Sequence, residues 1–171
     1  QENGMVPIVE PEVLMDGNHS AEVCLEKTSE VLKKCFEELI LHKVDLSGII
    51  LKPNMILAGN LSKNKISNEE VSLKTLECLK VSVPNEVPGI AFLSGGQSEI
   101  EATENLNLIN KNNNTNFIMT YSYGRALQQS ALKVWSKDTS DIKTTQNTFS
   151  HRAKMCTLAA QGKWARELEN K

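Results

Sequence analysis

The sequence predicts an α/β fold in which parallel strands alternate with crossover helices. Two observations carry this reading. Four short apolar runs, Met5–Val9, Gly48–Leu51, Gly89–Leu93 and Phe117–Tyr121, are each followed by a segment of helical periodicity. The residues that end these runs also recur at regular spacing: Glu10, Lys52 and Ser94 lie 42 residues apart, and Arg125 follows 31 later. In a β/α barrel the loops after the strands form one functional face, so these polar residues are expected to converge.

Each helix carries its own signal. The first starts near Asn18–Ser20, with Cys24, Thr28, Val31, Cys35 and Leu39 along one stripe and Leu32, Phe36 and Ile40 beside it, a face roughly 100° wide. Ser67 and Glu70 have the spacing of a capping box and open a second helix, whose Val71, Leu76, Leu79 and Val83 continue the pattern until Pro84. Ser98 and Glu101 repeat that box ahead of a third helix bearing Ala102, Leu106 and Ile109. Asn110–Asn116 reads as a flexible polar loop, and Ala126–Val134 as a helical segment ended by a packed Trp135. A last long helix, about Ser140 to Gln161, carries Ile142, Phe149, Ala153, Cys156 and Ala160 at helical spacing. No linker divides residues 1–171, which read as one domain; the role of Trp164 in the tail stays open.

The 171 residues suffice for one sizeable core but fall short of the roughly 250 of a complete eight-unit barrel. The chain opens on Gln1 and enters an apolar stretch almost at once, so a piece of a longer protein is expected. A net charge of -2 with Lys and Glu intermixed gives no basic field, and neither nucleic acid nor an acidic membrane surface is favoured as a partner. The apolar runs fall short of the ~20 residues of a membrane span, and no signal-peptide pattern opens the chain. Cys24, Cys35, Cys78 and Cys156 form no C-x-x-C pair and are expected as small buried hydrophobes in a reducing cytoplasm. His19, His42 and His151 are scattered without metal-ligand spacing, so no metal site is expected.

Candidate chemistry sits at the ends of the runs. Proline holds the residue before it extended and cannot donate a ladder hydrogen bond, so Glu10 and Lys52, each followed by proline, end adjacent strands in extended form. Alternation puts Glu12 on the same side as Glu10, and both could face the mouth where Lys52 emerges. Two carboxylates and an amine suit covalent chemistry on a carbonyl, in which a lysine forms a Schiff base. The alternative is a structural ion pair of Lys52 and Glu10 at the rim, with Glu12 orienting the lysine. Ser94-Gly95-Gly96-Gln97 lies between a strand and a capping box, where glycines let backbone N–H groups approach an anion. Tyr123-Gly124-Arg125 adds a second backbone approach and a guanidinium, and the two loops together favour a phosphorylated ligand over a plain turn and a surface arginine.

Four segments carry a family resemblance over essentially the whole chain. Val-Pro-Ile-Val-Glu-Pro-Glu at Val6–Glu12, Leu-Lys-Pro-Asn-Met at Leu51–Met55, Phe-Leu-Ser-Gly-Gly-Gln-Ser-Glu at Phe92–Glu99 and Ser-Tyr-Gly-Arg-Ala-Leu-Gln at Ser122–Gln128 resemble the last four strand ends of class I fructose-bisphosphate aldolases. The resemblance implies a (β/α)8 TIM barrel, here strands 5–8 and their helices, a half-barrel. It implies Lys52 as the Schiff-base lysine, Glu10 as the acid/base glutamate with Glu12 beside it, and Ser94, Gly95, Gly96, Ser122, Gly124 and Arg125 as the site of the substrate's C1 phosphate. It further implies reversible cleavage of fructose 1,6-bisphosphate in glycolysis and gluconeogenesis without metal or cofactor, in a homo-oligomer that in the family is usually a tetramer.

Three departures stand out. Ile56-Leu57-Ala58-Gly59 replaces the common Val-Thr-Pro-Gly, which bears on the shape of that loop. The ending Glu169-Asn170-Lys171 lacks the closing tyrosine of animal members and looks like the short-tailed bacterial or plant-like forms. The family's first-strand aspartate and fourth-strand lysine lie outside these residues, so the 171 residues alone are expected to be inefficient or inactive. The rival reading is a non-catalytic half-barrel that binds sugar phosphates or a protein partner.

Overall fold

A computed structural model describes residues 1–170. Strands β1 (Ile8–Val9), β2 (Ile50–Leu51), β3 (Gly89–Phe92) and β4 (Ile118–Tyr121) form one parallel sheet in the order β1-β2-β3-β4. Between and after them run α1 (Ala21–Leu41), α2 (Asn68–Ser82), α3 (Glu99–Asn112), α4 (Arg125–Trp135) and α5 (Ile142–Ala160). Because consecutive strands are neighbours and parallel, every crossover takes the same right-handed path and the helices gather on one face. α1 packs on α2, α2 on α3, and α3 on both α4 and α5.

The centre of the sheet is apolar and buried. Ile90, Ala91 and Phe92 of β3 are all buried, as expected of a central parallel strand. The outer strands behave otherwise: Ile8 is 58% and Ile118 74% exposed, and Met5, Val6 and Leu14 flanking β1 are exposed too. Leu51, Ile90 and Phe92 meet Leu32, Phe36, Leu76, Leu79, Leu106 and Ile109 of the helices in one continuous core.

The helix starts follow the sequence signals closely. Ser67 Oγ accepts from the Glu70 N–H at 3.2 Å while the Glu70 carboxylate accepts from the Ser67 N–H at 2.9 Å. Ser98 and Glu101 repeat the exchange at 3.2 and 2.9 Å. Each box satisfies two amides that a helix N-terminus otherwise leaves unpaired.

Several expectations fail, each for a packing reason. Asn110–Asn116 is not a free loop: α3 runs on to Asn112, whose Nδ2 donates to Ser72 Oγ at 3.1 Å, and the Asn113 side chain bonds Thr115 N–H and Phe117 O at 2.9 and 3.0 Å. Along α1, Val31 and Ile40 are exposed and Cys35 is half-buried, because the buried line of the helix runs through Cys24, Thr28, Leu32 and Phe36. On α5 the buried line is Arg152, Met155, Cys156 and Ala159, and Ile142 and Phe149 face out. Trp135 is exposed rather than packed; with Leu132 and Phe149 it lines an open groove between α4 and α5.

The end of the chain is fastened by a charge. Arg152 is 4% exposed and donates to both Glu169 carboxylate oxygens at 2.9 and 2.7 Å and to Thr103 Oγ1 at 3.2 Å. The Trp164 indole N–H donates to the same carboxylate at 2.6 Å, and its amide to Asn107 Oδ1 at 3.0 Å. Burial alone would lower the guanidinium pKa, but the bonds and charge of Glu169 outweigh it and the net direction is upward. Glu169→Ala leaves that guanidinium buried without its counter-charge, and a loss of about 3–5 kcal/mol is expected. Guanidinium chloride unfolding checks this, as a lower midpoint at unchanged slope.

Candidate active site

The register of β1 and β2 brings the first two predicted residues together. Ile8 pairs with Ile50 and Val9 with Leu51, and the Lys52 N–H donates to Val9 O at 2.7 Å. Lys52 Nζ then lies 3.0 Å from Glu10 Oε1, with the lysine side chain 20% and the glutamate side chain 44% exposed. A mostly buried amine thus touches a carboxylate that still reaches solvent, an arrangement in which a proton can pass between them and onward.

Glu12 faces elsewhere. With Gly95, Gly96, Arg125, Asn60 and Lys65 it lines a cleft of about 410 Å³. Lys52 and Glu10 are not among the residues that line this cleft, so the expected sharing of one pocket by both glutamates and the lysine is not seen.

The glycine loop is a tight turn. Gly95 and Gly96 have φ of +54° and +77°, the left-handed region that other residues rarely adopt. The Gln97 N–H closes the turn on Ser94 O at 3.0 Å, and the Gln97 side chain donates to the same carbonyl at 2.9 Å while accepting from Asn105 at 2.7 Å. Ser94 is half-buried at the end of the β3 run.

The second loop ends in a helix start of a different kind. Gly124 is the N-cap of α4 and supplies no side-chain hydrogen bond, whereas Ser20, Ser67, Ser98 and Asp141 each cap their helix with an oxygen. The Leu127 N–H turns back to Gly124 O at 3.1 Å, and the Arg125 and Ala126 amides before it have no side-chain cap, in the field of a helix N-terminus. Ser122 is tied to the sheet by its N–H to Phe92 O at 2.9 Å. Next to it, Tyr123 is buried and donates to Ala102 O at 2.9 Å; burial holds its hydroxyl pKa well above the usual value. The loop carrying Ser122, Gly124 and Arg125 is thus anchored on α3, and Arg125 meets Gly95 and Gly96 at the cleft.

Three contributors escaped the reading of the sequence. Asn54 is 2% exposed: its Oδ1 accepts from the Val13 N–H at 3.0 Å, and its Nδ2 donates to Thr28 Oγ1 and Met55 O, both at 3.1 Å. A lone amide between Lys52-Pro53 and the apolar Met55-Ile56-Leu57-Ala58 was the available signal. Glu99, at the start of α3, accepts from the Ser130 N–H at 2.8 Å and from the Ser130 hydroxyl, which couples the glycine loop to α4. Lys65 lines the cleft and donates to Gly59 O at 2.6 Å; nothing in its local sequence announces this.

The relationship to known proteins follows the same segments. The family model for class-I fructose-bisphosphate aldolase matches residues 1–171. A fructose-bisphosphate aldolase of Dictyostelium discoideum is 44% identical over 98% of this chain and 47% of its own length. Aldolase C of Carassius auratus is 48% identical over 96% of this chain and 46% of its own, and the cytosolic aldolase 4 of Arabidopsis thaliana 47% identical over 95% and 42%. A Plasmodium falciparum aldolase, solved in complex with TRAP and a small-molecule inhibitor, superposes with a TM-score of 0.92 at 43% identity, covering 96% of this chain and 47% of that one. The chain spans about half the length of the curated relatives it matches. With the family match end to end and the four strand-end motifs in order on a parallel sheet, this chain belongs to the class-I fructose-bisphosphate aldolase family.

Proposed function

We propose that the protein carrying this chain cleaves fructose 1,6-bisphosphate reversibly into dihydroxyacetone phosphate and glyceraldehyde 3-phosphate through a Schiff base on Lys52. The observation that carries the reading is the contact of Lys52 Nζ with Glu10 at 3.0 Å, on a lysine side chain only 20% exposed. Glu10 takes the ammonium proton and frees the amine to attack the C2 carbonyl. It then returns a proton to the carbinolamine oxygen, which leaves as water. The resulting iminium accepts the electron pair of the C3–C4 bond as it breaks, while the C4 hydroxyl gives its proton to the family's first-strand aspartate outside these residues and becomes the aldehyde of glyceraldehyde 3-phosphate; the electron sink is the covalent adduct itself. Glu12 holds a position at the cleft, next to Gly95, Gly96 and Arg125. Open amides at the α4 start and the glycine turn support the phosphate role of Ser94, Gly95, Gly96, Ser122, Gly124 and Arg125.

The same reading extends to architecture and setting. The parallel order β1-β2-β3-β4 with helices on one face fits half of a (β/α)8 barrel, strands 5–8, in one domain that ends in the long helix α5. Exposed Ile8 and Ile118 at the two sheet edges support further association, including the homo-oligomer of the family. Among the described residues no helix is long and apolar enough to cross a membrane, and a relative named cytosolic supports a cytoplasmic site of action.

Three outcomes are expected. Borohydride reduction of the full-length protein with dihydroxyacetone phosphate yields an adduct that mass spectrometry locates on Lys52, and Lys52→Ala abolishes it; an adduct elsewhere, or none, defeats the mechanism. Arg125→Ala weakens binding of the bisphosphate by about 1.5–3 kcal/mol, as expected for a lost hydrogen bond to a charged group, and unchanged affinity by calorimetry removes Arg125 from the phosphate site. Residues 1–171 expressed alone associate on sizing chromatography and show no efficient cleavage. A monomer turning over at ordinary rates of about 1–1000 per second would contradict the half-barrel reading.

A further inference from the structure

We propose that Asn54 is the positioning residue that sets Glu10 against Lys52 and Glu12 at the neighbouring cleft, an inference that rests on the Schiff-base reading of Lys52. The β1–β2 ladder stops at the site. In the register Ile8↔Ile50 and Val9↔Leu51, the next two β1 amides would be those of residues 11 and 13, facing the carbonyls of residues 52 and 54. Pro11 has no N–H, so the first of these bonds cannot form. The Val13 N–H does find residue 54, but it donates to the side-chain carbonyl of Asn54 at 3.0 Å. Among the described residues this is the one hydrogen bond between Glu10–Leu14 and Lys52–Leu57, the Glu10–Lys52 ion pair aside.

The consequence is an arch pinned at both ends. Val9 O is held by the Lys52 N–H at 2.7 Å, Val13 N–H is held by Asn54, and the three residues between them are Glu10, Pro11 and Glu12. Asn54 can serve as a fixed peg because its own orientation is determined: both Nδ2 hydrogens are used, on Thr28 Oγ1 and on Met55 O at 3.1 Å. Thr28 belongs to α1, so the helix core sets the amide, the amide sets Val13, and Val13 sets the glutamates. Aspartate lacks the two donors, and alanine leaves the half-buried Val13 amide without this acceptor.

The test uses the full-length polypeptide with Asn54→Ala and Thr28→Val. With dihydroxyacetone phosphate at saturation, Asn54→Ala should slow borohydride trapping between about tenfold and a hundredfold, the range for a catalytic group displaced by an ångström. Binding of inorganic phosphate should stay unchanged, since the loops of Gly95 and Arg125 do not hang from Asn54. Thr28→Val should slow trapping less, because the acceptor for Val13 remains. An unchanged trapping rate in folded Asn54→Ala, or equal losses of trapping and phosphate binding, overturns the proposal. Should that variant fail to fold, Thr28→Val decides it by the same two readouts. If the unmutated protein forms no adduct, the Schiff-base reading fails and a crystal structure of the variant settles the positioning role. A Glu10–Lys52 separation beyond the 4 Å of an ion pair supports it, and a retained 3.0 Å overturns it.

Discussion

Pro11 stops the β1–β2 backbone ladder where the polar residues begin, and much of the site's construction answers that fact. Pro11 and Pro53 follow Glu10 and Lys52 directly, so neither can donate across the sheet, and both keep the preceding residue extended. On the other side of Lys52 the sheet carries on, because Pro53 still has a carbonyl: Leu93 N–H donates to it at 3.1 Å, and Ser122 N–H to Phe92 O at 2.9 Å. The β2, β3 and β4 ends are therefore joined by main chain, and the β1 end mainly by side chains. Freedom to place a carboxylate comes with the loss of the ladder, and a buried amide supplies the missing fixation.

A related division separates the helix N-termini. Where a helix start serves only the fold, a side-chain oxygen occupies its free amides, as Ser20, Ser67, Ser98 and Asp141 do. α4 begins at Gly124 with no such oxygen, and Arg125 is its first residue. Its alignment comes from elsewhere: Glu99 grips Ser130 further along α4, and Tyr123 reaches back to Ala102. The helix is thus held along its body, which leaves its tip available to an anion.

What could be read from the sequence depended on the range of the interaction. Capping boxes span three residues and strand ends are marked by an apolar run, so α2, α3 and the positions of Lys52, Ser94 and Arg125 were legible. Asn54 was not, since its partners Val13 and Thr28 lie 41 and 26 residues away. The pairing of Arg152 with Glu169 has no local sequence signal, because it forms only where the segment after α5 turns back over α3. The α5 stripe was misjudged because periodicity gives the existence of a buried line but not its bearing. Contact with both α3 and α4 places that line on Arg152, Met155, Cys156 and Ala159 and leaves Phe149 outside.

The loop after Met55 shows how such a site tolerates sequence change. Ile56, Leu57 and Ala58 depart from the common family residues, yet the loop is fastened to the stretch after β1 by main-chain bonds that are independent of side-chain identity. Gly59 N–H donates to His19 O at 2.9 Å, Asn60 N–H to Met15 O at 2.8 Å and Leu61 N–H to Gly17 O at 2.9 Å. The position that cannot vary is Gly59, where a Cβ would stand 2.4 Å from the Gly17 carbonyl oxygen and push the two segments apart. The residue shared with the family's Val-Thr-Pro-Gly is therefore the one imposed by contact, while the positions that differ lie where the backbone bonds carry the shape. Asn54 and Gly59 thus tie the two segments beside Lys52 by different means, a buried side chain at one end and a close backbone approach with main-chain hydrogen bonds at the other.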